Sequence, residues 1–163
     1  MEMLEKLYWE MIGYYAGQPA QIQHFVKVHS FARLIGLGEG IDPQTLFTLE
    51  ALAYAHDIGI KPAIEKHGSA AGPLQEKEGE PWAEEMLLRL GFAPETARRV
   101  GFLVGKHHTF EGVDGPDWQI LLEADMLVNL FEGKASAEKI RGAYERVFAT
   151  ESGKRLCREM FGL

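Results

Sequence analysis

Residues 54–62 read YAHDIGIKP, and they follow the apolar run LFTLEALAYA at 46–55. A histidine and an aspartate thus stand side by side where an apolar helix ends. Burying an unpaired carboxylate is costly, so such a pair needs either an ion-pair partner or a metal ion. His56 has Ala53, Leu52 and Leu49 three, four and seven residues before it, which places it on an apolar stripe. Working outward, Asp125 in ILLEADMLVNL has Leu121, Leu122 and Val128 at helical spacing, and His24 shares a stripe with Val28, Phe31 and Ile35. Three ionisable side chains on three segments therefore point toward the core, with Asp57 beside one of them. A hydrogen-bonded core histidine would account for His24 alone. Asp125 is harder to explain that way, because aspartate is rarely buried without a partner.

Apolar residues recur at helical spacing almost throughout, and no run alternates as a strand does. The pattern predicts an all-α, single-domain helical bundle over 1–163, with helices near 2–16, 20–37, 43–56, 80–90, 94–108, 117–132, 136–148 and 152–161. Asp42 before Pro43 reads as an N-cap followed by proline at the first helical position, and Ser136 reads as another N-cap. The interval 59–80, GIKPAIEKHGSAAGPLQEKEGE, is polar and glycine-rich. It predicts a long loop with at most a short helix at 61–66, placed to close over a substrate as a lid.

With 163 residues and 46% hydrophobic content, the chain can build one substantial core. A formal charge of −7 and the lack of any long basic run argue against a nucleic acid polymer as partner. No segment approaches the ~20 apolar residues that span a bilayer. The single cysteine, Cys157, cannot form an internal disulfide. It reads as a small buried apolar residue in a protein of the reducing cytoplasm.

The order His24, His56-Asp57, Asp125, carried by IQHFVKVHSFA, ALAYAHDIGIKP and LLEADMLVNL, resembles the HD superfamily of metal-dependent phosphohydrolases over roughly residues 20–130. The resemblance implies an HD-type helical domain whose His24, His56, Asp57 and Asp125 hold one divalent cation. Imidazole and carboxylate ligands together admit Mn, Fe, Co, Ni or Zn. It also implies hydrolysis of a small phosphate ester or nucleotide. Where relatives carry lysine directly after HDIG, Ile60 stands here and Lys61 follows. Where two-metal relatives add histidines, this chain has Gln75 and Glu76 in one place and His107 and His108 in the other.

In this reading Lys61 and one of His107 or His108 stabilise the transferring group or protonate the leaving oxygen. Glu76 or Glu78 serves as base or additional ligand. Two other functions fit the same residues. An oxygenase with two irons needs a full second ligand set, and a nucleotide sensor would bind without turnover.

Overall fold

The structure is a computed structural model that describes residues 1–163. It consists of nine helices and no strand: α1 (Met3–Tyr14), α2 (Pro19–Gly38), α3 (Pro43–Ala55), α4 (Ile60–His67), α5 (Gly72–Leu90), α6 (Pro94–Val104), α7 (Pro116–Glu132), α8 (Ala137–Val147) and α9 (Glu151–Phe161). Local chemistry sets several of these ends. The Asp42 side chain accepts from the Thr45 amide at 2.9 Å and Pro43 opens α3, while Ser136 accepts from the Lys139 amide at 3.2 Å. Thr150 caps α9 in the same way, accepting from the Gly153 amide at 2.9 Å.

At the centre α2, α3 and α7 pack against one another, with α6 on α3 and α5 on α6. Their apolar faces merge into one core that includes Phe25, Ile35, Leu49, Leu52, Val100, Leu121 and Cys157, all fully buried. The same three-helix junction carries the polar residues of interest, one set per helix. Glu123 on α7 is also fully buried, and it shows how this fold treats a carboxylate that needs no ion. It accepts from the Ala149 and Thr150 amides at 3.1 Å and from the Thr150 hydroxyl and the Gln119 amide group at 2.7 Å. These bonds hold the α8–α9 turn onto α7.

The expected loop at 59–80 is instead helical over most of its length. α4 covers Ile60–His67, and α5 begins at Gly72, ahead of the expected start near residue 80. The interval is poor in large apolar residues because α4 and α5 meet backbone to backbone. A Cβ on Gly59 would stand 2.2 Å from the Gln75 carbonyl oxygen and 2.9 Å from the Gly79 Cα, and one on Gly79 would stand 2.8 Å from Val104 Cγ1. A helix joined through glycine contacts shows no apolar stripe, so periodicity misses it. The lid expectation is therefore overturned: these residues are a packed helical hairpin. The expected helix to residue 108 also stops early, at Val104, and His107 and His108 lie in the turn that follows.

Gly59→Ala should lower stability by about 1–3 kcal/mol, the usual range for overpacking against atoms that cannot move aside. Gly13→Ala in α1 should act oppositely, raising stability by about 0.5–1 kcal/mol, since nothing beyond its chain neighbours and the surrounding helix backbone lies within 4 Å of the added methyl. Urea unfolding of both variants tests the pair. A Gly59→Ala protein as stable as the parent would contradict the close helix contact.

Candidate metal centre

The site begins with how α3 ends. Helical bonding stops at Ala55, and residues 56–59 form a turn before α4. Two tyrosines at the end of α1 hold this turn: Tyr14 donates its hydroxyl to the Ile58 carbonyl at 2.9 Å, and Tyr15 donates to the Asp57 carbonyl. His56 and Asp57 need not point 100° apart as in a continuous helix. Both reach toward His24 from α2 and Asp125 from α7, and all four are buried at 9% exposure or less.

Each of the two imidazoles brings its Nε2 within 3.4 Å of the other and of one oxygen of each carboxylate. His24 Nε2 lies 3.2 Å from His56 Nε2, 3.2 Å from Asp57 Oδ2 and 3.1 Å from Asp125 Oδ1. His56 Nε2 lies 3.3 Å from Asp57 Oδ2 and 3.4 Å from Asp125 Oδ1. Ligand atoms about 2.1 Å from one ion stand about 3.0 Å apart at right angles and about 3.4 Å apart at the tetrahedral angle. The observed separations fall within that range.

The hydrogen positions point the same way. His56 donates from Nδ1 to the Ala53 carbonyl at 2.8 Å, and His24 donates from Nδ1 to Glu132 Oε1 at 2.6 Å. Neutral rings donating there turn the lone pairs of their Nε2 atoms toward each other, an arrangement that needs a proton or a cation between them. Asp125 Oδ1 is buried with no hydrogen-bond donor, in contrast to the fully satisfied Glu123. The donor set thus fits a divalent cation.

Without a cation, protons must fill that role. Burial pulls the His24 imidazole down, but the Asp125 and Asp57 carboxylates outweigh it and push it up to about 10. His56 is likewise lifted well above its ordinary value, burial opposing and Asp57 and Asp125 prevailing. Burial pushes the Asp57 and Asp125 carboxyls up, and the neighbouring imidazoles, His56 foremost, hold both below the usual carboxylate range.

The other expected residues separate into those near the cluster and those away from it. His107 is 2% exposed, donates from Nδ1 to the Val104 carbonyl at 2.7 Å, and sets Nε2 3.3 Å from Asp57 Oδ1 without a hydrogen bond. His108 lines the cleft over the cluster, and its Nε2 lies 3.1 Å from the Gln75 side-chain oxygen. Asp57, His107 and His108 form a second group close enough to share an ion.

Lys61 does not face the cleft. Its ammonium donates to the Tyr14 carbonyl at 2.9 Å and sits over the Tyr14 ring, because α4 starts at Ile60 and the next residue is turned about 100° away. Ile60 takes the cleft-facing position. Glu76 is also elsewhere: it accepts from the Thr109 hydroxyl at 2.9 Å and the His108 amide at 3.3 Å, bracing the turn after α6. Glu78 pairs with Lys66 and His67 between α4 and α5.

Two participants escaped the sequence reading. Gln21 donates its amide to Asp57 Oδ2 at 2.9 Å, and Glu132 holds His24 while itself held by Lys27 at 2.9 Å. The available signal was helical phase: Gln21 precedes His24 by three residues, and Glu132 follows Asp125 by seven. Above the cluster lies an open cleft of about 610 Å3 with only two hydrophobic residues in its lining.

No protein-family model matches the chain, and no curated protein matches it. Among solved structures the chain is similar to a predicted HD superfamily hydrolase from an uncultured Thermotogales bacterium. The TM-score is 0.70 at 21% identity, covering 97% of this chain and 84% of that one. The fold is therefore of the HD type.

Glu132→Gln should weaken divalent-metal binding about 10–100-fold, because a carboxylate behind a ligating histidine orients the ring and raises its basicity. Calorimetric titration of the chelator-treated protein measures this, and an unchanged affinity would remove Glu132 from the site. The ion-free protein should also respond to alkali. His24 has a folded value of about 10, above the unfolded value near 6.5, so its proton contributes stability fully below about pH 6.5. That contribution is lost as pH rises through 10. Melting temperature should fall across this window without metal and much less with saturating metal. Parallel curves would show that no ion substitutes for the proton.

Proposed function

We propose that this protein is a metal-dependent phosphohydrolase acting on a small phosphate ester or nucleotide, with His24, His56, Asp57 and Asp125 as ligands to a divalent cation. The observation that carries the reading is the approach of His24 Nε2 and His56 Nε2 to each other and to Asp57 Oδ2 and Asp125 Oδ1 at 3.1–3.4 Å, with Asp125 Oδ1 left unsatisfied. When bound, such a cation supplies a water of lowered pKa and a positive charge facing a phosphoryl oxygen.

The chain's own residues do the rest. Gln21 orients Asp57 through its 2.9 Å bond, and Glu132 fixes the His24 ring. His108 keeps an exposed edge in the cleft, yet the loss of surrounding water and then the neighbouring His107 push its imidazole down, which favours the uncharged form at neutral pH. Gln75 gives its amide N–H to the Ala70 carbonyl at 2.6 Å and turns its oxygen to His108, which therefore donates from Nε2. Nδ1 remains as the lone-pair nitrogen. It can take the proton of the attacking water as the new P–O bond forms and return it to the leaving oxygen as the ester bond breaks. The substrate is small because the cleft is, and the net charge of −7 makes a nucleic acid polymer a poor partner. No helix is long and apolar enough to cross a membrane.

One observation favours a second reading. His107 Nε2, buried and unpartnered 3.3 Å from Asp57 Oδ1, could hold a second cation together with Asp57. Two irons in that arrangement would permit oxygen chemistry instead of hydrolysis.

The test is elemental analysis of protein purified without added metal, followed by a phosphate-ester screen with that metal restored. Phosphate release abolished by EDTA is expected. Asp57→Ala should lose most bound metal, and with it the stabilisation of about 2.7 kcal/mol that an ion at 100 times its Kd confers. His107→Ala should retain one ion. Full metal loading with no ester hydrolysed would contradict the hydrolase reading.

A further inference from the structure

A second, smaller cleft of about 240 Å3 adjoins the larger one, sharing His108, Asp125 and Asn129 with it, between the turn after α6, α7 and the start of α8. His107 and Asp125 are among its lining residues, and each carries a buried side-chain atom without a hydrogen-bond partner, His107 Nε2 and Asp125 Oδ1. Its walls differ from those of the larger cleft. Phe110, Met126 and Leu130 contribute apolar surface, and Lys139 is the only lysine lining either cleft.

Phe110 is 51% exposed, yet its position is set by the residue before it. The Thr109 hydroxyl donates to Glu76, and the Thr109 carbonyl accepts from the Trp118 indole at 3.1 Å. A half-exposed aromatic ring held in place beside a polar centre is a ready stacking surface.

We propose that this smaller cleft is the subsite for the organic part of the substrate, a single aromatic ring or nucleobase stacked on Phe110, with Lys139 drawing in the anion. The inference rests on the phosphohydrolase reading and adds the substrate class to it. An ester's organic ring gains most from an aromatic face, and Phe110 supplies one here, whereas the apolar residues lining the larger cleft are Ala20 and Ile60. The smaller one lies below the roughly 300–1,000 Å3 of sites that enclose a whole drug-sized ligand, so it takes one ring system rather than an extended molecule. Lys139 takes the anion-attracting role expected of Lys61, whose ammonium is engaged at Tyr14.

Phenylphosphonate and methylphosphonate carry the same anionic head and are not hydrolysed, so their binding to the metal-loaded protein isolates the subsite. Calorimetric titration should show phenylphosphonate binding at least about tenfold tighter. Phe110→Ala should erase that gap while leaving methylphosphonate affinity unchanged, and removing a half-exposed ring opens no cavity in the core. Lys139→Gln should weaken both ligands several-fold, and Lys139→Arg should restore them. Equal affinities for the two phosphonates, or a gap that survives Phe110→Ala, overturns the aromatic subsite while the phosphohydrolase reading stands. Unchanged binding in Lys139→Gln overturns the part assigned to the lysine. If neither phosphonate binds the metal-loaded protein, the phosphate-ester reading itself fails and the subsite with it.

Discussion

Two buried carboxylates and two buried imidazoles meeting at one point form the constraint around which this fold is arranged. Neither Asp57 nor Asp125 could remain ionised at that depth alone, and neither histidine could turn its lone pair on the other without something positive between them. The cluster has two neutral solutions. Two imidazolium protons balance two carboxylates, or one divalent cation balances them with both rings uncharged. Exchanging one solution for the other preserves net charge, which allows the same packed core to hold either. Metal binding is then coupled to proton release, as it is wherever histidines must deprotonate to ligate.

The helices serve this point of convergence in different ways. α2 and α7 each offer one candidate ligand, His24 from the second turn of α2 and Asp125 from the middle of α7, together with a supporting residue one or two turns away, Gln21 on α2 and Glu132 on α7. His56 and Asp57 can both face the cluster because α3 ends at Ala55, and Tyr14 and Tyr15 at the end of α1 fix the turn that follows by bonding the Ile58 and Asp57 carbonyls. The turn after α6 adds His107, fixed by a bond to its own helix end. The glycine contact between α4 and α5 brings Gln75 and Glu76 close enough to hold His108 and Thr109. The carboxylate of Glu76 thus braces the wall of the site without entering it.

Much of this was legible in the sequence where the signal is periodic. His24, His56 and Asp125 stood out because a charged or titratable side chain on an apolar stripe has to be explained, and Asp42 and Ser136 because capping is local chemistry. What escaped was set by phase and by contact between distant segments. Lys61 is adjacent to the site in the chain but rotated out of it by one helical step. The 59–80 interval reads as a loop because glycine pairing leaves no apolar stripe. The tyrosines at the end of α1 act across 42 to 44 residues of chain, a reach that no spacing rule records.

The account turns on whether a cation occupies the point between His24, His56, Asp57 and Asp125. Anomalous diffraction at the absorption edge of the metal that co-purifies addresses this directly. One peak about 2.1 Å from the four donor atoms is the predicted result. An unchanged cluster without anomalous signal, even after soaking in millimolar divalent metal, would mean a buried ion-pair network and would contradict the central claim.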